Sequence, residues 1–124
     1  MKLLYLTFQE DAPLYLGVVR KIGWQAEAFR KLGYDVTYSL WSGLTYRFLT
    51  KDGTEETKVS GGHGLMHRFS EAALDYLNAH SFDVVYMRLD RISFDVLRLC
   101  RAARARGARR ILIELPNYPY FLDY

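Results

Sequence analysis

The chain has 124 residues, which fits one domain with a buried core. Hydrophobic residues make up 50% and charged residues 25%, the proportions of an ordinary soluble globular protein, and a formal charge of +3 does not by itself mark a nucleic-acid binder. The single cysteine, Cys100, excludes an internal disulfide and reads as a small core residue in a reducing compartment.

The first apolar run, Leu3 to Phe8, does not alternate, which suits a strand buried on both faces of a parallel sheet. It is too short for a signal sequence or a membrane span, so a cytoplasmic location is expected. A polar loop, Gln9 to Pro13, leads to Gly17. From Val18 the period becomes helical: Val18, Ile22, Ala26, Phe29 and Leu32 share one face, and Gly33 ends the segment. A second strand is predicted over 35–40. Thr45–Thr50 and Glu55–Val59 flank Asp52-Gly53, a strong hairpin signal. The charge on this hairpin places it at a sheet edge or outside the main core.

After the glycine-rich connector 60–64, a second helix is predicted over 65–80, with Met66, Phe69, Ala73, Tyr76 and Leu77 inward. A buried strand follows over 83–88. A third helix over 92–106 has Ile92, Val96, Leu99, Cys100 and Ala103 inward, Ser93 near its start and Gly107 at its end. Ile111–Ile113 supplies the fourth parallel strand. The fold class expected is α/β: a Rossmann-like three-layer sandwich, with a parallel sheet, helices on both faces and an inserted β-hairpin.

In such sheets ligands gather at the carboxyl ends of the strands. Residues placed on that rim include Arg88, which ends a buried strand, and Glu114, Asn117 and Tyr118, which follow the last one. Gly17 would let backbone approach a ligand, and Arg20 lies near the start of a helix whose free N–H groups suit a phosphate. Arg88 has a second reading, an ion pair with Asp90 or Glu114, and Glu114 has the matching one. His63, His67 and Glu71 are spaced by four, but the surrounding glycines start the helix after His63, so no metal site is expected. Arg98, Arg101 and Arg104 share a broad outer face of the third helix. That face is either solvated or attracted to anionic lipid. No nucleic-acid reading motif is present.

The order of residues resembles the amino-terminal domain of family-4-like glycosyltransferases of the GT-B type. The likeness lies in Met1-Lys-Leu-Leu-Tyr-Leu-Thr with Gly17-Val-Val-Arg-Lys-Ile, in Gln25 to Val36, in Phe82 to Arg88, and in Ile113-Glu-Leu-Pro-Asn-Tyr-Pro-Tyr120. The resemblance implies an acceptor-binding domain, residues 1–124, of a retaining bacterial enzyme of polysaccharide or glycolipid synthesis. It implies a nucleotide-sugar donor as co-substrate, no other cofactor, and a sugar or lipid-linked acceptor. The donor would be held by a carboxyl-terminal domain that these residues do not include. The chain then reads as a truncated, inactive half-enzyme, peripheral on the inner membrane face. It lacks the histidine that many relatives carry where Asn117-Tyr118-Pro119 stands. Two other readings are open. Glu10-Asp11 imitates the acidic pair of a flavodoxin-like receiver domain, although Arg88 and Glu114-Leu-Pro stand where a receiver needs aspartate and lysine. A non-catalytic interaction domain would use Tyr118, Tyr120, Phe121 and Tyr124, and an unfinished sheet edge offers a route to a homodimer.

Overall fold

The computed structural model describes residues 1–59, 64–89 and 92–115. Its elements are β1 (Lys2–Thr7), α1 (Leu16–Lys31), β2 (Asp35–Ser42), β3 (Thr45–Thr50), β4 (Gly53–Lys58), α2 (Leu65–Ala79), β5 (Val84–Arg88), α3 (Phe94–Ala105) and β6 (Arg110–Glu114). They form an α/β fold with one open six-stranded sheet, ordered β4-β3-β2-β1-β5-β6. The four strands β2, β1, β5 and β6 are parallel, as their apolar runs predict. The sheet as a whole is mixed, because β3 and β4 continue it antiparallel from the β2 edge.

Of the two places expected for the hairpin, it takes the sheet edge, and there it adds antiparallel strands to the parallel ones. The outer strand, β4, is exposed along its length. But β3 turns Tyr46 and Phe48 inward, and both are completely buried. Phe48 stacks on Tyr76 of α2 with ring centroids 3.8 Å apart. Two large rings bury enough apolar surface to bind the strand to the core despite Arg47 between them. The hairpin loop is Lys51-Asp52, since Thr50 faces Gly53; the glycine opens β4 rather than turning the chain.

The alternation of side chains along β1 divides the core. Leu4 and Leu6 pack with Phe69, Ala73 and Leu77 of α2 and Val96, Leu99 and Ala103 of α3. Leu3 and Tyr5 pack on the opposite face with Ile22 and Ala26 of α1. Leu32, Met66 and Ile92, expected inside, are 75%, 47% and 52% exposed, because each lies at a helix end beyond the reach of the sheet. Gly33 and Gly107 end α1 and α3 with φ of 97° and 96°, a conformation that favours glycine.

Candidate functional site

The strand order fixes where the sheet can leave space. From β1 the chain passes through α1 to β2 on one side. From β5 it passes through α3, against the opposite face, to β6 on the other side. The carboxyl ends of β1 and β5 are therefore adjacent while their connections part, which makes a crevice at the switch point. A cavity of ≈ 340 Å³ opens there, lined by Phe8, Met66, Ser70, Leu89, Ser93, Asp95 and Val96. Phe8 and Leu89 are the residues just past β1 and β5. Met66 and Ser70 come from the first turns of α2, and Ser93, Asp95 and Val96 from the start of α3. The lining is mainly apolar with a few polar groups, the usual character of a small-molecule site. Ser93 occupies the cap position of α3 without making a side-chain cap hydrogen bond.

Beside the cavity, α2 and α3 bring four charged or titratable groups together. His67 Nδ1 lies 2.9 and 3.0 Å from the two carboxylate oxygens of Asp95, and Nε2 lies 3.6 Å from Glu71 Oε1. Arg98 donates to Glu71 and stands 3.6 Å from Asp95. The hydrogen bond to Glu71 raises the Arg98 pKa further above its already high value. One atom each of His67, Glu71 and Asp95 lie within 4.8 Å of one another. The helical spacing of His67 and Glu71 was visible in the sequence, but Asp95 was not a member of that group. His63 lies outside the described residues.

Arg88 and Glu114 face each other across the β5–β6 register, 3.7 Å apart. Glu114 also accepts a 2.7 Å hydrogen bond from Tyr86. Burial and that bond push the Tyr86 phenol up to about 12. Tyr5 contacts Gln25 and the edge of the Tyr86 ring, and burial raises its pKa while Arg88 opposes the rise. The Arg88 side chain is only 11% exposed, and its Nη1 is buried without a hydrogen bond among the described residues. The ion pair anticipated for Arg88 and Glu114 is present, with a guanidinium nitrogen left unsatisfied.

Gly17 lies in the first turn of α1, not in a turn before it. It is exposed, and a Cβ there would meet nothing within 4 Å. A single 3-10 turn, Pro13–Tyr15, leads directly into the helix, and Leu16 N–H bonds to the Pro13 carbonyl. Arg20 is exposed on α1. Asp90, Asn117 and Tyr118 lie outside the described residues. Of the basic face, Arg98 is engaged with α2, and Arg104 donates to the Arg109 carbonyl at 3.3 Å. Arg101 and Arg104 border a shallow hollow with Cys100 and Ile111. Burial pushes the Cys100 thiol up, and Arg104 partly offsets it. No helix among the described residues is long and apolar enough to cross a membrane.

Comparison of the chain with protein-family models, with curated proteins and with solved structures finds no match.

Proposed function

We propose that the chain is a Rossmann-like acceptor-binding domain of a retaining GT-B glycosyltransferase, one that transfers a sugar from a nucleotide-sugar donor to a polysaccharide or lipid-linked acceptor. The observation that carries this reading is the cavity at the switch point between β1 and β5. Phe8, Met66, Leu89 and Val96 offer apolar contact to a sugar face or an alkyl aglycone. Ser70, Ser93 and Asp95 offer hydrogen bonds to hydroxyl groups. The resemblance of the opening strand, the Gln25–Val36 segment and the Ile113–Tyr120 segment to that family adds the class of reaction.

In this reading the domain binds and orients the acceptor, and a second, donor-binding domain faces it across a cleft. Transfer then depends on holding the acceptor hydroxyl near the donor carbon, a positioning contribution to the rate. The start of α1, with Gly17 in its first turn and Arg20 just after it, follows the carboxyl end of β1 and would face the donor phosphates. Arg88, with its unsatisfied nitrogen beside Glu114, is the cation for an anionic group of the acceptor. Asn117 and Tyr118 are the further acceptor contacts that the resemblance suggests. The exposed cations Arg101 and Arg104, with Arg98, hold the domain on an anionic membrane surface from the cytoplasmic side.

The test is saturation-transfer NMR with an alkyl glycoside below its micelle concentration. The alkyl and ring protons are expected to receive saturation from the protein. Met66→Gln and Asp95→Asn, both at the cavity wall, should each weaken binding. Transfer unchanged by both substitutions, or absent for every alkyl glycoside tried, would overturn the reading.

A further inference from the structure

We propose that His67, Glu71 and Asp95 form a binding site for a zinc-class divalent cation at the edge of the switch-point cavity, and that Arg98 occupies it when the ion is absent. The site differs from an ordinary surface ion-pair cluster in having an imidazole at its centre. Each ring nitrogen faces a different carboxylate: Nδ1 meets Asp95 at 2.9 Å and Nε2 meets Glu71 Oε1 at 3.6 Å. A neutral imidazole has one N–H to donate, so it satisfies only one of these carboxylates. In the tautomer that gives Nδ1–H to Asp95, the Nε2 lone pair faces an anion, an arrangement that a cation between Nε2 and Glu71, a proton or a metal ion, resolves.

The spacing suits the ion. Zinc holds nitrogen and oxygen ligands at about 2.0–2.2 Å, so neighbouring ligands of a tetrahedron stand about 3.4 Å apart. The 3.6 Å between Nε2 and Glu71 Oε1 is close to that separation. Asp95, bonded to the far nitrogen, fixes the tautomer and ring orientation as a carboxylate does behind a metal-bound histidine. Imidazole with carboxylate favours zinc or cobalt over magnesium or calcium, which prefer all-oxygen shells.

Arg98 bonds to the same Glu71 oxygen that would ligate the ion. Guanidinium and metal therefore compete for it. Arg98 is 46% exposed and can withdraw to solvent when the ion binds. This gives the proposal a sign that a merely structural salt bridge lacks: removing Arg98 should tighten metal binding.

The experiment is calorimetric titration with Zn²⁺, and absorption titration with Co²⁺, on the whole chain near neutral pH. One equivalent is expected to bind in the micromolar range, with a Co²⁺ spectrum of low coordination number. His67→Ala should abolish binding and Asp95→Asn should weaken it about 10- to 100-fold. Arg98→Ala should strengthen it, and His80→Ala should leave it unchanged. All four positions carry exposed or half-buried side chains, and circular dichroism verifies that each variant folds. Zinc binding weaker than millimolar, binding that survives His67→Ala, or loss of affinity in Arg98→Ala would each overturn the proposal.

Discussion

Strand β1 has two neighbours, and its carboxyl end meets them in opposite ways. On the β2 side the parting strands are sealed by side chains. Thr7 N–H donates to Ser39 Oγ at 2.8 Å, Ser39 Oγ donates to the Thr7 carbonyl at 3.0 Å, and Tyr46 OH donates to the same carbonyl at 2.6 Å. Trp41 Nε1 donates to the Phe8 carbonyl at 2.6 Å, and the backbone ladder resumes where Asp11 N–H meets the Trp41 carbonyl. On the β5 side the backbone ladder runs true as far as Thr7 opposite Arg88, and beyond it lies a cavity. One side spends its polar groups on the fold. The other leaves Ser93 without a side-chain cap bond, and Arg88 Nη1, paired with Glu114 at 3.7 Å, without a hydrogen bond among the described residues. Polar groups that the fold does not consume are available to a ligand, and this contrast is what supports the proposed site beside the ends of β1 and β5.

The largest effects should fall on the sealed side. Tyr46→Ala, at a fully buried ring, should cost about 3–5 kcal/mol in urea denaturation. Ser39→Ala, which strands the Thr7 N–H, should cost about 1–3 kcal/mol. A value near zero for either would mean that the β1–β2 side is not sealed by these groups. At the intermediate site, Arg88→Met should destabilise by leaving Glu114 half-buried beside Tyr86, and adding Glu114→Gln should restore much of the loss. Failure of the second change to compensate would show that Arg88 and Glu114 do not act as a pair.

Alkaline pH sharpens the same comparison. Tyr86 titrates near 12 in the folded chain, above its ordinary value of about 10 in an unfolded one. The stability it contributes is full below pH 10 and is lost as pH rises through 12. Buried Tyr46, also shifted upward by burial, adds to the same fall. Denaturation midpoints should be flat with respect to these groups up to pH 10 and decline above it, less steeply in Tyr86→Phe. An identical slope in that variant would contradict the assignment. The smallest effects belong to the open side: Ser93→Ala and Met66→Gln should change stability by no more than about 0.5 kcal/mol.

Much of the fold is legible in the chain because it is written locally. The continuous apolar run of β1, the helical spacing of Ile22 and Ala26, and the glycines at 33 and 107 each state their own element. The joining of β3 to the main sheet is less legible. Tyr46 and Phe48 alternate correctly, yet the charges of β4 next door dominate the hairpin's composition, and only the tertiary position of Tyr76 shows which strand is buried. The candidate site is least legible of all. Arg88 and Glu114 stand out because charge at the end of a buried strand is unusual. Phe8, Met66, Ser70 and Asp95 are ordinary where they stand, and only the convergence of four elements makes them a wall.

The most direct measurement is an amide and methyl chemical-shift map of the chain titrated with an alkyl glycoside. The account predicts shifts concentrated at Phe8, Met66, Ser70, Leu89, Ser93, Asp95 and Val96, with Ser39 and Tyr46 unmoved. Shifts centred on the β1–β2 side, or spread evenly over the sheet with none at the cavity, would contradict it.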